Sequence, residues 1–132
     1  MRILAVLFWV MAGAAWAQTP MTGDEFETYT RGKTLTFMES GQAYGIEQYL
    51  PGRQVRWAFD NDECQDGHWF EADPALICFV YDGSDAGPQC WNFFRTDKGL
   101  RARFMGTTDG RELYEARASR APLLCLGPEV GV

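Results

Sequence analysis

His68 is the first residue to consider for chemistry, because it is the only histidine in the chain and its side chain ordinarily titrates near neutral pH. A hydrolase could use it together with a nearby carboxylate. The three serines, however, lie in no nucleophile-elbow sequence. We therefore expect no catalytic residue and no enzymatic activity, and we interpret His68 as an exposed residue near a turn.

The densest acidic cluster, Asp60-Asn61-Asp62-Glu63, invites a calcium interpretation, because hard cations bind oxygen ligands in such loops. Aligned to an EF-hand loop that begins at Asp60, the chain places Glu71 at the last ligand position. Cys64 and Gln65 do not fit that alignment, and no helix is expected on either side. We interpret the cluster as a solvated hairpin tip, and predict no metal and no cofactor.

Aromatic and arginine side chains are the remaining candidates for a site. The aromatic residues either fill the core or line the mouth of a small barrel, where one ligand can be held. The arginines either receive an anionic ligand or pair with surface carboxylates. The candidate ligand-binding residues are Trp57, Phe59, Trp69, Trp91, Phe93, Arg56, Arg101 and Arg103.

The chain contains four cysteines, Cys64, Cys78, Cys90 and Cys125. A hairpin centred near Ser84 would bring Cys78 opposite Cys90, within reach of a disulfide. That pairing leaves Cys64 to bond with Cys125 and to tie the C-terminal tail to the domain. The zinc or redox alternative is disfavoured, because no C-x-x-C motif is present.

The beginning of the chain predicts export. Arg2 supplies a positive charge, Ile3 to Met11 form an apolar run, and Ala15-Trp16-Ala17 fits the signal peptidase pattern. We expect a signal peptide over residues 1–17 and a single disulfide-stapled domain over residues 18–132, without a membrane span. A periplasmic or secreted location also favours disulfides over free thiols.

The rest of the chain predicts one short helix followed by strands. Thr22 and Glu25 form a capping box for a helix from Gly23 to Thr30, and Phe26 and Tyr29 are expected to pack on the outer face of the sheet. Eight short antiparallel strands then favour a mainly β up-and-down meander, as a barrel or a two-sheet sandwich. The predicted strands are Thr34–Glu39, Gly45–Leu50, Gln54–Asp60, Gly67–Ala72, Leu76–Tyr81, Cys90–Thr96, Leu100–Gly106 and Glu112–Ala118.

Several motifs follow one another between Thr22 and Phe94: Gly32-Lys33-Thr34, a Tyr44–Arg53 segment rich in tyrosine and Pro-Gly, Gly67-His68-Trp69, and two cysteine-containing strands around a loop. In this order they resemble a family of small secreted bacterial proteins of unknown function. The resemblance implies a lipocalin-like small β-barrel. Its motifs are structural, and it implies no active site.

The net charge of −6 makes nucleic acid a poor partner, because an acidic chain repels phosphates. We expect a periplasmic or secreted non-enzymatic module that binds a small apolar or anionic ligand or a partner protein. The alternative is a periplasmic enzyme inhibitor or assembly accessory protein, which would use the Asp82–Pro88 loop as a rigid protruding element.

Overall fold

The computed structural model describes residues 18–59, 63–108 and 110–125, so the expected signal peptide lies outside the described residues. Helix α1 spans Gly23–Thr30, and a 3₁₀ turn, Pro51–Arg53, joins the second and third strands. The strands are β1 Thr34–Glu39, β2 Gln42–Leu50, β3 Gln54–Phe59, β4 Gln65–Glu71, β5 Ile77–Tyr81, β6 Gln89–Thr96, β7 Gly99–Phe104 and β8 Glu112–Ser119.

Helix α1 has the bounds that the capping box predicts. The Thr22 hydroxyl accepts a hydrogen bond from the backbone N–H of Glu25 at 3.2 Å, which satisfies one of the free donors of the first turn. At the other end the Arg31 N–H donates to the carbonyl of Glu27 at 3.0 Å. Gly32 then takes a positive φ of 71° and turns the chain into β1.

The eight strands form a closed antiparallel barrel in sequence order, in which β8 pairs back onto β1. The predicted meander is confirmed, and of the two architectures the chain adopts the barrel. Closure removes the free sheet edges that a sandwich would have to protect. The barrel begins with a tight β1–β2 hairpin, in which Ser40 and Gly41 both have positive φ values, and β2 therefore starts three residues earlier than predicted.

The position of α1 differs from the prediction. Phe26 does not cover the outer face of the sheet: it enters one end of the barrel and is 0% exposed. Its ring centroid lies 4.4 Å from that of Phe93, 5.0 Å from Trp69 and 5.6 Å from Tyr49. A closed barrel leaves its ends, rather than a sheet face, in need of cover, and α1 therefore forms the closed end of the barrel.

Both predicted disulfides are present. Cys78 and Cys90 are directly opposed on β5 and β6 and form one bridge. Cys78 points away from the barrel interior and is buried on the outer face of β5, where the helix was expected to pack. The Cys64–Cys125 bridge holds the C-terminal tail to the barrel wall. Along that tail, the Leu123 N–H donates to the side-chain oxygen of Gln48 at 3.1 Å.

Within the described ranges, no helix is both long enough and apolar enough to cross a membrane.

Candidate functional site

A cavity of about 70 Å³ lies inside the barrel, toward the end opposite α1. This is the open end, where β3, β5 and β7 finish and β4, β6 and β8 begin. The cavity reaches the surface at Phe59, which is 44% exposed. Its lining is mostly aromatic and comprises Phe37, Tyr44, Glu47, Tyr49, Trp57, Phe59, Gln65, Phe79, Tyr81, Gln89, Trp91, Phe93, Ala102 and Leu113.

Glu47 is the one acidic residue of this lining, and it is 1% exposed. It lies on β2 between Leu35 of β1 and Trp57 of β3, its partners in the strand register. The Tyr81 hydroxyl donates to its carboxyl group, at 3.1 Å from Oε1 and 3.2 Å from Oε2. The cavity therefore contains a buried carboxyl–phenol pair surrounded by apolar side chains.

Burial raises the pKa of Glu47 well above its ordinary value, and the hydrogen bond from Tyr81 only partly opposes this effect. The pKa values of Tyr49 and Tyr81 are also raised, first by burial and then by the charge of Glu47. Among the described residues no lysine or arginine forms an ion pair with Glu47. The carboxyl group thus lacks a positive partner in a site where its charge is costly.

Two glycines make room for this arrangement. A Cβ at Gly45 would collide with the indole of Trp57, and a Cβ at Gly67 would collide with the backbone of β5 and crowd the ring of Tyr81. Gly67 is the register partner of Tyr81. The missing side chains allow Trp57 and Tyr81 to lie close to the neighbouring strands, which brings the phenol to Glu47.

Aromatic rings cluster where the cavity opens. The Tyr44 ring centroid lies 5.7 Å from that of Trp57 and 5.6 Å from that of Phe59, and Trp57 and Phe59 are 5.4 Å apart in a perpendicular arrangement. On the other side, Trp91 lies 4.9 Å from Phe104. These separations are typical of attractive aromatic pairs. We call the three contacting rings of Tyr44, Trp57 and Phe59 the aromatic wall of the entrance.

Four of the aromatic residues selected from the sequence, Trp57, Phe59, Trp91 and Phe93, line the cavity. Trp69 does not, because it lies at the closed end against Phe26 and beneath the guanidinium of Arg53, 4.5 Å from its ring.

The three candidate arginines lie outside the barrel: Arg101 and Arg103 share the outer face of β7 near Glu112, whereas Arg56 lies apart from them. Arg56 on β3 pairs with Asp66 at 2.7 Å, and Arg101 on β7 pairs with Glu112 at 2.8 Å. Arg103 is exposed on β7, which lies across the barrel from β3. Among the described residues, the cavity lining contains no lysine or arginine, so none of the three arginines contributes to the cavity.

His68 is exposed on β4, with its ring 6.3 Å from that of Phe70. Residues 60–62 of the acidic cluster lie outside the described residues, and the described part of the chain contains no group of histidine, cysteine or carboxylate side chains suited to a metal ion. Glu71, the last position of the EF-hand alignment, instead accepts hydrogen bonds from the N–H groups of Gly23 and Ala75, at 2.7 and 2.9 Å.

Sequence reasoning misses Glu47 and Tyr81, the two polar residues at the centre of the cavity. In β2 the alternation is ambiguous, because Ile46 and Leu50 are the more apolar set and would be expected to face the core. The side that faces inward carries Gly45, Glu47 and Tyr49. The available signal in the sequence is Gly45, which lies two residues before Glu47 and therefore on the same side of the strand. A glycine within a strand indicates space for a large side chain on a neighbouring strand.

In comparisons with known protein families, curated proteins and solved structures, no family, no curated protein and no solved structure matches this chain.

Proposed function

We propose that the protein is a non-enzymatic binding module that holds the end of a small ligand in the open end of its barrel. The observation that carries the proposal is the aromatic cavity with the Glu47–Tyr81 pair inside it. Apolar walls with a few convergent polar groups are the usual composition of a small-molecule site. A helix closes the opposite end, so a ligand enters and leaves through one side.

The size of the cavity limits what it holds. Its volume of about 70 Å³ is well below the ~300–1,000 Å³ of sites that enclose a drug-sized ligand. It is also smaller than the ~150 Å³ engineered cavity that takes up benzene. The ligand is therefore either very small or inserts one terminal group, while the remainder lies along the aromatic wall formed by Tyr44, Trp57 and Phe59.

The charges favour a neutral or cationic group over an anionic one. An anion would lie beside the carboxyl group of Glu47 without any basic residue in the lining. Of the apolar and anionic ligands expected from the sequence, the proposal therefore keeps the apolar ligand. The end of this ligand that enters the cavity carries a neutral polar or a positively charged group.

The proposed location is the periplasm or the extracellular space. Two disulfides and the absence of free cysteines among the described residues are compatible with an oxidising compartment. The predicted signal peptide supports the same location, and membership of the small secreted bacterial family that the sequence resembles is part of this proposal.

The test is native mass spectrometry of protein isolated from its own host, combined with a variant that blocks the entrance. Gln65 faces inward at the beginning of β4 and lines the cavity, so Gln65→Trp should prevent a ligand from co-purifying. Gln54→Trp is the matched control, because Gln54 is exposed at the beginning of β3, near the closed end. An empty wild-type protein, or equal occupancy in the two variants, would refute the proposed site.

A second candidate function is that of an enzyme inhibitor or assembly accessory protein. It is supported by the loop over residues 82–88, which is exposed along its whole length and connects β5 to β6, the two strands that the Cys78–Cys90 bridge joins. Replacing this loop by a two-residue turn should abolish capture of a partner while the melting temperature stays high. Capture that survives the replacement would contradict this function.

A further inference from the structure

Glu47 is the only ionisable side chain, apart from the tyrosines, among the described residues that line the cavity, whose walls are mostly apolar or aromatic. Leu35 of β1 and Trp57 of β3 flank Glu47 on the two adjacent strands, and Tyr81 reaches it from β5. A carboxylate buried without a cation is strongly penalised. Either the group stays protonated, or a ligand supplies the missing positive charge.

The rings near Glu47 suit a positive group. The faces of tyrosine, tryptophan and phenylalanine attract cations, most strongly where water is excluded, and several rings around one site form the aromatic cages that bind methylated ammonium groups. Tyr44, Trp57 and Tyr81 come from three strands and line the same cavity as Glu47. The Tyr44 ring already has the Arg111 guanidinium 5.8 Å from its centroid on the outside, where that arginine pairs with Glu39 at 2.9 Å.

We infer that the cavity receives the head group of a small organic cation, an alkylammonium or a quaternary ammonium, which is held between Glu47 and the rings of Tyr44, Trp57 and Tyr81. This inference rests on the proposed function and specifies its ligand class. The volume of about 70 Å³ suits a head group of a few heavy atoms, and the net charge of −6 draws cations toward the protein.

The raised pKa of Glu47 makes the inference testable through proton release. Burial raises the pKa of this carboxyl group, so a bound cation should displace its proton. The titratable groups near it are the phenols of Tyr81, Tyr49 and Tyr44, and Glu115 acts on Tyr49 from β8. Burial and the nearby carboxylates raise the pKa values of Tyr49 and Tyr81, so these two phenols stay protonated at neutral pH and a released proton would come from Glu47.

The experiment is calorimetric titration with choline, whose charge does not depend on pH, and with its neutral isostere in which carbon replaces nitrogen. Methylammonium and methanol form a second, slimmer pair. We expect one cation of these pairs to bind at least about tenfold more tightly than its neutral partner, as a desolvated cation–π and carboxylate contact allows. Its binding should release protons, measured by repeating the titration in buffers of different ionisation enthalpy, and should strengthen as the pH rises.

The matched variant is Glu47→Gln, which keeps the shape and can still accept the Tyr81 hydrogen bond. It should lose both the preference for the cation and the proton release. Neutral partners that bind as tightly as the cations, or an unchanged preference in Glu47→Gln, would overturn the inference and leave the proposed function standing. If neither cation binds to the wild-type protein, the inference is also wrong, whereas the proposed function fails if the wild-type protein purifies empty or if Gln65→Trp and Gln54→Trp retain the co-purified ligand equally.

Discussion

The two ends of the barrel are built from similar residues but are packed differently. At the closed end, α1 inserts Phe26 among the rings of Tyr49, Trp69 and Phe93, and the Phe26 side chain is fully buried. At the open end no such element covers the barrel within residues 18–59, 63–108 and 110–125, and Tyr44 and Trp57 line a cavity instead. Aromatic side chains thus form the packed core at the closed end and the lining of a cavity at the open end.

Carboxylates show the same contrast. Glu71, at the closed end, accepts two backbone N–H groups, and these hydrogen bonds lower its pKa. Glu115 accepts the Tyr29 hydroxyl at 2.7 Å, and burial together with this contact raises the pKa of Tyr29 to about 12. Glu47, at the open end, is the most buried of the three and has a phenol but no cation beside it. Glu71 and Glu115 thus accept hydrogen bonds from groups of the closed end itself, whereas Glu47 has no positive partner among the described residues.

Among the substitutions considered, Phe26→Ala at the closed end should lower the stability of the fold most. Phe26→Ala should lower the free energy of unfolding by about 4 kcal/mol, because the removed ring leaves a cavity that its neighbours cannot fill. Urea denaturation measures the loss, and Thr28→Ala, at an exposed position of the same helix, is the control. A loss below about 1 kcal/mol would show that α1 does not form part of the core.

The two disulfides should differ in their contributions. They join residues separated by 61 and 12 positions, and the chain-entropy relation gives about 4 kcal/mol for the longer loop and about 3 kcal/mol for the shorter one. Replacing both cysteines of one bridge by alanine, and comparing Cys64→Ala/Cys125→Ala with Cys78→Ala/Cys90→Ala in urea, measures the order. The reverse order would mean that packing around Cys78, rather than loop closure, dominates.

Glu47→Gln should stabilise the protein at neutral and higher pH, because it replaces a buried carboxyl group whose charged form is costly in this site. The folded-state pKa of Glu47 is raised above the value in the unfolded chain, so its favourable contribution is fully present below about pH 4 and is lost as the pH rises through the folded-state pKa. Melting temperatures across this range should diverge between wild type and variant as the pH increases. Parallel curves would show that Glu47 does not titrate with folding.

Glu71→Gln should have the smallest effect and the opposite pH dependence. Hydrogen bonds from Ala75 and Gly23 lower the pKa of this exposed carboxylate, so its contribution is present above the unfolded-state pKa and is lost as the pH falls through the folded-state pKa. Melting temperatures should be slightly lower than in wild type near neutral pH and should converge with it in acid. A difference that grows in acid would contradict this assignment.

Local patterns in the sequence were sufficient to predict the helix bounds, the antiparallel meander and both disulfides. The capping residue Thr22, the turn residues between strands and the equal distances from Ser84 to Cys78 and Cys90 act within a few residues of one another, and each restricts the backbone directly. The same patterns also placed Trp57 and Trp91 among the candidates that line the cavity.

Strand positions and the opposed cysteines can be predicted from local sequence, because side-chain alternation and turn chemistry act over a few residues. Three features follow instead from the closed barrel: Phe26 fills one end, Arg56 and Arg101 lie on opposite sides, and Glu47 contacts Tyr81 in the interior. These outcomes depend on barrel closure, which sets the inward direction for all eight strands at once. A single strand such as β2, whose more apolar side faces outward, does not reveal that direction.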